Sequence, residues 1–188
     1  MTAVAGLFDR RAGPDLSGQA AAIAAACHAM AVRFHLGGKL VVFGIGGAST
    51  DAQHVAVEFV HPVIVGKRAL PAISLTTDAA TVTGVAARDG LEAIFAHQIR
   101  HLAAPQDIAL GICAGPGDAS VRAGLAAARK RGLLTIVLTG PGADWPEAGH
   151  VLVADSNDPC VVKELQVTTY HVLWELVHVF FEQPGVLA

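Results

Sequence analysis

The sequence predicts an α/β protein built on a parallel β-sheet that helices cover on both faces. Five short apolar runs alternate with segments of helical composition. Strands buried on both faces of a sheet have such continuous apolar runs, whereas half-exposed strands alternate apolar and polar residues. The chain has 188 residues, a length that suits one domain with one core. We therefore expect a three-layer αβα sandwich around a five-stranded parallel sheet, formed as a single domain by residues 1–188.

The apolar runs and the turn residues between them give the expected order of elements. Strands are predicted at 39–43, 69–75, 107–112, 134–138 and 150–153. Helices are predicted at 16–36, 50–60, 78–87, 91–102, 119–131 and 160–181. In open parallel sheets, ligands bind beyond the carboxyl ends of the strands. Four segments follow strands in this way and are expected to form the site: 44–49, 76–78, 113–118 and 139–142.

The composition is unusually apolar, with 53% hydrophobic and 15% charged residues and a mean hydropathy of +0.50. A membrane helix would need about 20 consecutive apolar residues. The longest apolar stretches here are interrupted by His, Arg, Gly or Glu, so no membrane span is expected. The excess apolar surface is better explained by a homo-oligomer, a tetramer or a dimer. The helices at 16–36 and 160–181 are expected to lie in its interface.

The net charge and the cysteines indicate which kind of partner and which cellular compartment to expect. The net charge is −3 and no run of Lys or Arg occurs, which argues against direct nucleic-acid binding. The three cysteines are widely spaced and fit neither a disulfide framework nor a metal motif. The first 14 residues contain no apolar signal core. We therefore expect a cytoplasmic protein.

A glycine-rich turn leads from the first strand into a helix. Gly44, Gly46 and Gly47 allow the backbone to approach a ligand, and a helix N-terminus presents free N–H groups to an anion. No Lys-Ser/Thr pair follows, so the turn is not a P-loop. A purely structural turn and an anion-binding turn are both consistent with this pattern.

Two polar patterns on helices suggest chemistry. His54 and Glu58 are four residues apart and so share a helix face. Such a pair can bind a metal or transfer a proton, although the same spacing is typical of a surface hydrogen bond. On the last predicted helix, Glu164 and His171 are seven apart and lie on one stripe. That helix is otherwise apolar, as an interface helix would be.

Taken together, these stretches resemble one known family. Residues 44–58, GIGGASTDAQHVAVE, resemble the phosphoheptose isomerase motif Gly-Asn-Gly-Gly-Ser-x-x-Asp-Ala-x-His-x-Ala-x-Glu. The resemblance continues through 68–78, 107–112, 121–140 and the last helix with His171. The chain is identified as a member of this family, whose fold is the flavodoxin-like SIS (sugar isomerase) domain. The resemblance implies a homotetramer that binds a sugar phosphate and, often, zinc.

The resemblance also implies roles for individual residues. His54, Glu58 and His171 would be metal ligands, and Glu58 and His171 would also be the acid/base pair that moves a proton between the first two sugar carbons. The positions implied to contact the substrate are Gly46, Gly47, Ala48, Ser49, Thr76, Thr77, Asp78, Arg88, Cys113, Gly115, Asp118, Ser120 and Lys163.

The phosphate loop departs from the family pattern. The family has a Ser-Thr-Ser-Gly-Asn-Ser loop, whereas residues 113–118 read CAGPGD and carry no hydroxyl. Asp118 puts a negative charge where the phosphate would lie, and like charges about 4 Å apart repel by roughly 1 kcal/mol in water. Ser49, Ser120 and Arg88 are the residues that could form a replacement anion site.

The metal shell departs from the family at one position. The family's Gln is Lys163 here. Its ammonium would compete electrostatically with zinc, could pair with Glu58, or could replace the metal as the group that stabilises an enediolate.

Two functions of different classes follow. The first is an aldose–ketose isomerase of a sugar phosphate, or of an altered sugar, which retains His54, Glu58 and His171. The second is a non-catalytic SIS-fold sensor or oligomeric adaptor that binds a protein partner, which the altered phosphate loop and the apolar composition favour.

Overall fold

The chain folds around one five-stranded sheet in which every strand is parallel to its neighbours. The computed structural model describes residues 2–12, 15–113, 115, 118–183, 185 and 187. The strand order is β2-β1-β3-β4-β5. The strands are β1 (Leu40–Gly44), β2 (Ala72–Ser74), β3 (Ile108–Ile112), β4 (Leu134–Thr139) and β5 (His150–Val153). The predicted fold class and the five parallel strands are confirmed.

Seven α-helices lie within the described part of the chain. They are α1 (Thr2–Asp9), α2 (Ala20–His35), α3 (Gly47–Val60), α4 (Ala79–Asp89), α5 (Ile94–Leu102), α6 (Ala119–Lys130) and α7 (Pro159–Glu182). Short 3-10 turns at Ser17–Gln19 and Leu91–Ala93 precede α2 and α5.

Three of the differences from the sequence prediction have clear physical reasons. The strand β2 starts at Ala72 rather than residue 69, directly after Pro71, which has no N–H for a sheet ladder. The helix α3 starts at Gly47 because Gly46, with φ +61°, turns the chain sharply after β1. The helix α1 was not predicted. Beyond its end, Arg10 pairs with Asp158, and Arg11 pairs with Glu164 on α7.

The core consists of two apolar layers, one on each face of the sheet. Along β1, Leu40 and Val42 face the layer formed with α2, α3 and α7, whereas Val41 and Phe43 face the layer formed with α4, α5 and α6. This alternation is the two-residue period of a strand, and all four side chains are buried because helices cover both faces. The three-layer arrangement is therefore as predicted.

Some apolar surface stays exposed on this single chain. On α3 and the loop after it, the exposed residues are Val57, Val60, Val63, Ile64 and Val65. Among the described residues, no helix combines the length and the apolar character that crossing a membrane requires. The interface role expected for the helices at 16–36 and 160–181 stays a prediction.

The topology fixes where a ligand can enter. From β1 the chain moves to β2 on one side, and later places β3 on the other side of β1. The helices that follow β1 and β3, α3 and α6, therefore diverge and leave a crevice beyond the carboxyl ends of these two strands. Such a switch point is the usual binding site of an open α/β sheet.

Candidate active site

A row of polar side chains runs along the contact between α3 and α7. We call it the α3–α7 seam, and it consists of Asp51, His54, Glu58, Lys163, Tyr170 and His171. Because three-, four- and seven-residue spacings return to the same face of a helix, the three α3 residues all face α7. The seam joins residues more than 110 positions apart in the sequence.

The centre of the seam is the carboxylate of Glu58. His171 Nε2 lies 3.0 Å from Glu58 Oε1, and His54 Nε2 lies 3.3 Å from the same oxygen. The Glu58 side chain is only 9% exposed, whereas the two histidines are 40% and 47% exposed. A buried carboxylate is thus flanked by two imidazoles that a ligand can reach.

Two contacts hold this group in place. The Trp174 indole N–H donates to the Glu58 backbone carbonyl at 3.0 Å, which ties α7 to α3. The Tyr170 hydroxyl lies 3.0 Å from His54 Nδ1. Burial raises the pKa of Tyr170, and the negative charges of Asp51 and Glu58 raise it further, so the phenol stays neutral.

The three residues also fit a metal ion. One ligand atom each from His54, Glu58 and His171 lie within 4.8 Å of one another. Two imidazoles and a carboxylate are a common donor set for catalytic zinc, which leaves a fourth position open. Tyr170 adds the partner on the second ring nitrogen that metal-binding histidines usually have. The predicted His/Glu/His group is therefore brought together by the fold.

Lys163 corrects one expectation. Its ammonium donates to Asp51 Oδ2 at 2.5 Å and to the Gly47 carbonyl at 3.2 Å, rather than pairing with Glu58. The reason is its place on α7, about two turns before His171, which puts it level with Asp51 and not with Glu58. The Asp51 side chain, 8% exposed, thus has a counter-ion, and the positive charge of Lys163 is largely neutralised.

A cavity of about 420 Å³ lies at the switch point between β1 and β3, and we call it the switch-point cavity. Six of the predicted substrate-binding or shell residues line it: Gly47, Ala48, Cys113, Gly115, Asp118 and Lys163. Asp51, Gln166, Ile45 and Pro159 complete the described lining. Among these lining residues, Lys163 is the one cation, and the lining also contains two carboxylates, Asp51 and Asp118.

The other predicted contact residues do not join this cavity. Gly46, Ser49 and Thr76 line a separate, mainly apolar cavity of about 260 Å³. Thr77 and Asp78 line a third cavity with His97 and His101 of α5. The carboxylate of Asp78 accepts the Thr81 amide and hydroxyl at the start of α4.

The replacement anion site suggested from Ser49, Ser120 and Arg88 stays a prediction, and each of these side chains has a local partner in the structure. The Ser120 side chain is buried, and its hydroxyl donates to the Leu91 carbonyl. The Ser49 hydroxyl donates to the Gly46 carbonyl, and Arg88 extends at the surface to Asp89. These local contacts compete with any role of the three groups in binding an anion.

The N-terminus of α6 is capped by the side chain of Asp118. Asp118 Oδ1 accepts the backbone N–H groups of Ser120 and Val121, both at 3.1 Å. These are the amides that a helix N-terminus would otherwise offer to a phosphate. Residues 114, 116 and 117 of the altered loop lie outside the described residues. The predicted negative charge at this end is present, and it acts as a helix cap.

Cys113 lies at the end of β3 and is a buried lining residue of the switch-point cavity. Its side chain is 3% exposed, and its Sγ lies 3.2 Å from the Gly115 carbonyl. Burial raises the pKa of this thiol above its ordinary value. The Gln166 amide donates to the Cys113 carbonyl at 2.7 Å, which links α7 to the strand end.

Three residues of the site were missed from the sequence: Asp51, Gln166 and Tyr170. Asp51 lies seven residues before Glu58, so the helical period would have placed it on the same face. Tyr170 precedes His171 and falls in an apolar pattern, where an aromatic residue is typical of core packing.

Comparison with known proteins agrees with this geometry. The SIS domain family model matches residues 15–140. A phosphoheptose isomerase of Solidesulfovibrio magneticus is 38% identical over 160 residues, which span 84% of this chain and 78% of that protein. A phosphoheptose isomerase of Roseiflexus sp. is 37% identical over 162 residues, which span 85% and 82%. The solved structure of a phosphoheptose isomerase from Francisella tularensis has a TM-score of 0.87 and 26% identity, covering 95% of this chain and 97% of that one. The chain therefore belongs to the phosphoheptose isomerase family of SIS-domain proteins, as the sequence motifs predicted.

Proposed function

We propose that this protein is an aldose–ketose isomerase that acts on a sugar phosphate by proton transfer. The observation that carries the proposal is the convergence of His54 and His171 on the single buried carboxylate of Glu58. The relatives named phosphoheptose isomerase support the same reaction class. They do not favour the alternative of a non-catalytic sensor or adaptor.

The geometry suits the two proton movements of this reaction. An aldose–ketose shift takes a proton from the carbon next to the carbonyl, passes through an enediol, and returns a proton to the former carbonyl carbon. Glu58 is assigned as the base at carbon, because its carboxylate is enclosed and held in one orientation. His171 is assigned as the group that exchanges protons with the two sugar oxygens, because its ring is accessible and lies within 3.0 Å of Glu58.

Zinc is proposed as the metal of this group, with His54, Glu58 and His171 as its ligands. A bound zinc ion would polarise the substrate carbonyl and stabilise negative charge on the enediolate oxygens. Lys163 does not oppose this assignment, since its charge is neutralised by Asp51 rather than directed at Glu58.

The switch-point cavity is the proposed place of the substrate's phosphate; Asp51 and Lys163 of the seam line it, whereas His54, Glu58 and His171 are not among its described lining residues. Its volume of about 420 Å³ lies in the range of small-molecule pockets. A phosphate there would meet Lys163 as the one cation among the described lining residues. The ammonium uses two of its three protons on Asp51 and Gly47, so one donor is left for a substrate oxygen.

A homotetramer in the cytoplasm completes the proposal. The exposed apolar side chains of α3 and the following loop, Val57, Val60, Val63, Ile64 and Val65, provide surface for contacts between subunits. The three cysteines are all free thiols, as is usual in a reducing compartment.

The test is an isomerisation assay over a panel of aldose and ketose phosphates, with the free sugars alongside. We expect turnover of at least one phosphorylated sugar, and we expect Glu58→Gln to abolish it. Glu175→Gln is the matched control. Glu175 is an exposed residue of α7, four positions after His171, and it lies outside the seam. The proposal would be contradicted if, for every sugar in the panel, the wild-type protein isomerised it no faster than Glu58→Gln does.

A further inference from the structure

Tyr170 is placed to control the orientation of His54. It is the single tyrosine of the chain and is 1% exposed, enclosed between α3 and α7. Its hydroxyl lies 3.0 Å from His54 Nδ1. Its ring also meets both imidazoles edge to face, with centroids 5.5 Å from His54 and 4.9 Å from His171. A rigid, buried side chain thus contacts the two histidines of the site at once.

His54 depends on this contact more than His171 does. Its side chain is 47% exposed, so packing alone leaves the ring free to rotate. It is held from two sides, by the Tyr170 hydroxyl at Nδ1 and by Glu58 Oε1 at Nε2. Loss of either contact would leave the ring without a fixed direction.

The two ring nitrogens of His54 then have different tasks. A neutral imidazole carries one N–H, and the nitrogen that binds a metal must be the other one. Nε2 is the nitrogen that faces Glu58, so metal binding through Nε2 requires the proton on Nδ1. Without a metal, a bare Nε2 would face a carboxylate oxygen at 3.3 Å, and a proton on Nε2 is the favourable arrangement.

A tyrosine hydroxyl serves both arrangements because it can donate or accept. With the proton on Nε2, Tyr170 O–H would donate to Nδ1 and His54 Nε2–H would donate to Glu58. With the proton on Nδ1, Nδ1–H would donate to the Tyr170 oxygen and Nε2 would be free for a metal ion. The two arrangements hold the same number of protons, since the ring releases one proton to water from Nε2 and takes one up from water at Nδ1. A backbone carbonyl could serve only the arrangement with the proton on Nδ1, and phenylalanine neither.

We propose that Tyr170 is a positioning residue that holds the His54 ring in one orientation while letting its proton change nitrogen, so that the same ring serves the metal-free and metal-bound protein. This inference rests on the proposed function only in taking His54, Glu58 and His171 as the metal group.

The first experiment measures zinc affinity by competition with a chromophoric chelator. We expect Tyr170→Phe to bind zinc about 10- to 100-fold more weakly than the wild type, the range for loss of a partner behind a metal-binding histidine. Thr169→Val is the control, because it removes a buried hydroxyl that bonds only within α7, to the Leu165 carbonyl. Unchanged zinc affinity in a folded Tyr170→Phe protein would overturn the proposal.

The second experiment needs no substitution at Tyr170. With ¹³Cζ-labelled tyrosine the protein gives one tyrosine resonance, and ¹⁵N-labelled histidine reports tautomers, with His54 assigned by its loss in His54→Gln. We expect the Nε2–H form of His54 without metal, a change to the Nδ1–H form on zinc addition, and a shift of the tyrosine signal at the same step. An Nδ1–H form in the metal-free protein, or a tyrosine signal that zinc leaves unmoved, would overturn the proposal.

These readouts separate this inference from the proposed function. Neither involves turnover, so a protein without isomerase activity could still meet both expectations. An active isomerase could equally fail them. A wild type that bound no zinc would overturn the proposal, whether or not the protein isomerised a sugar.

Discussion

The α3–α7 seam and the start of α6 use their polar groups in opposite ways. On the α3–α7 seam, Glu58 is buried but faces two histidines that a ligand can reach. At the start of α6, the Asp118 carboxylate is taken up by amides of its own helix, and the Ser120 hydroxyl is taken up by the Leu91 carbonyl. The seam therefore keeps its reactive groups available, whereas the α6 end satisfies its groups internally.

This contrast separates chemistry from recognition. The residues proposed to move protons stand on α3 and α7, and the packing of these two helices holds them in place. In the loop after β3, the described residues offer a carboxylate and a buried thiol but no cation. Substrate charge should therefore be recognised mainly by Lys163 of the seam, and changes at Lys163 and at Glu58 should affect different kinetic constants.

The largest effect is expected within the seam. Because the proposed function places Glu58 at carbon and His171 at oxygen within one isomerisation, Glu58→Gln and His171→Asn should each lower kcat by about 10²- to 10⁴-fold. The double variant should lose little more than the worse single variant, since residues that act as a unit are not additive. Steady-state kinetics of the four proteins check this. Losses that multiply in the double variant would show that the two residues act in separate steps.

The next effect concerns substrate charge. Lys163→Met removes the one cation among the described lining residues of the cavity. We expect KM for a phosphorylated sugar to rise by about 10- to 100-fold, the equivalent of one charged hydrogen bond of roughly 1.5–3 kcal/mol. The KM for the matching free sugar should change far less. Lys130→Met, at the exposed end of α6, is the control for loss of a charge. An unchanged KM for the phosphorylated sugar would place its phosphate away from Lys163.

Cys113 is buried near the start of α6, so its thiol should react more slowly than the exposed thiol of Cys160. Burial raises the pKa of Cys113, so near pH 8 the thiol is neutral and unreactive, and its reactivity should grow as the pH rises towards the raised value. Cys160 is exposed at the start of α7 and should be alkylated first. Peptide mapping by mass spectrometry after timed iodoacetamide treatment checks this. Equal rates at Cys113 and Cys160 would show that the α6 end opens readily.

The sheet and the group around Glu58 could be predicted because their signals are local. Continuous apolar runs mark β1 and β3, a glycine turn marks the start of α3, and four-residue spacing puts His54 and Glu58 on one face. The motif resemblance then added His171. In each case the residue types within a few positions of one another determine the outcome.

The ion pair of Lys163 could not be predicted because its cause is not local. Asp51 and Lys163 are 112 positions apart, and their contact depends on how far α3 is shifted along α7. The same holds for the Tyr170–His54 contact. The role of Asp118 was missed for another reason: a carboxylate at a helix start can either repel a ligand or cap its own helix, and the sequence showed only its charge.

The smallest effect tests the α6 end itself. Asp118→Ser keeps a good helix cap and removes the negative charge, so stability should fall by only a few tenths of a kcal/mol. The KM for a phosphorylated sugar should fall by roughly fivefold, as expected if about 1 kcal/mol of repulsion is relieved. The KM for a free sugar should stay the same. Asp118→Ala removes the cap as well, and urea titration should show a loss of about 1 kcal/mol. If Asp118→Ser instead raised the KM for phosphorylated and free sugars alike, Asp118 would contact the sugar hydroxyls directly. The start of α6 would then take part in substrate recognition.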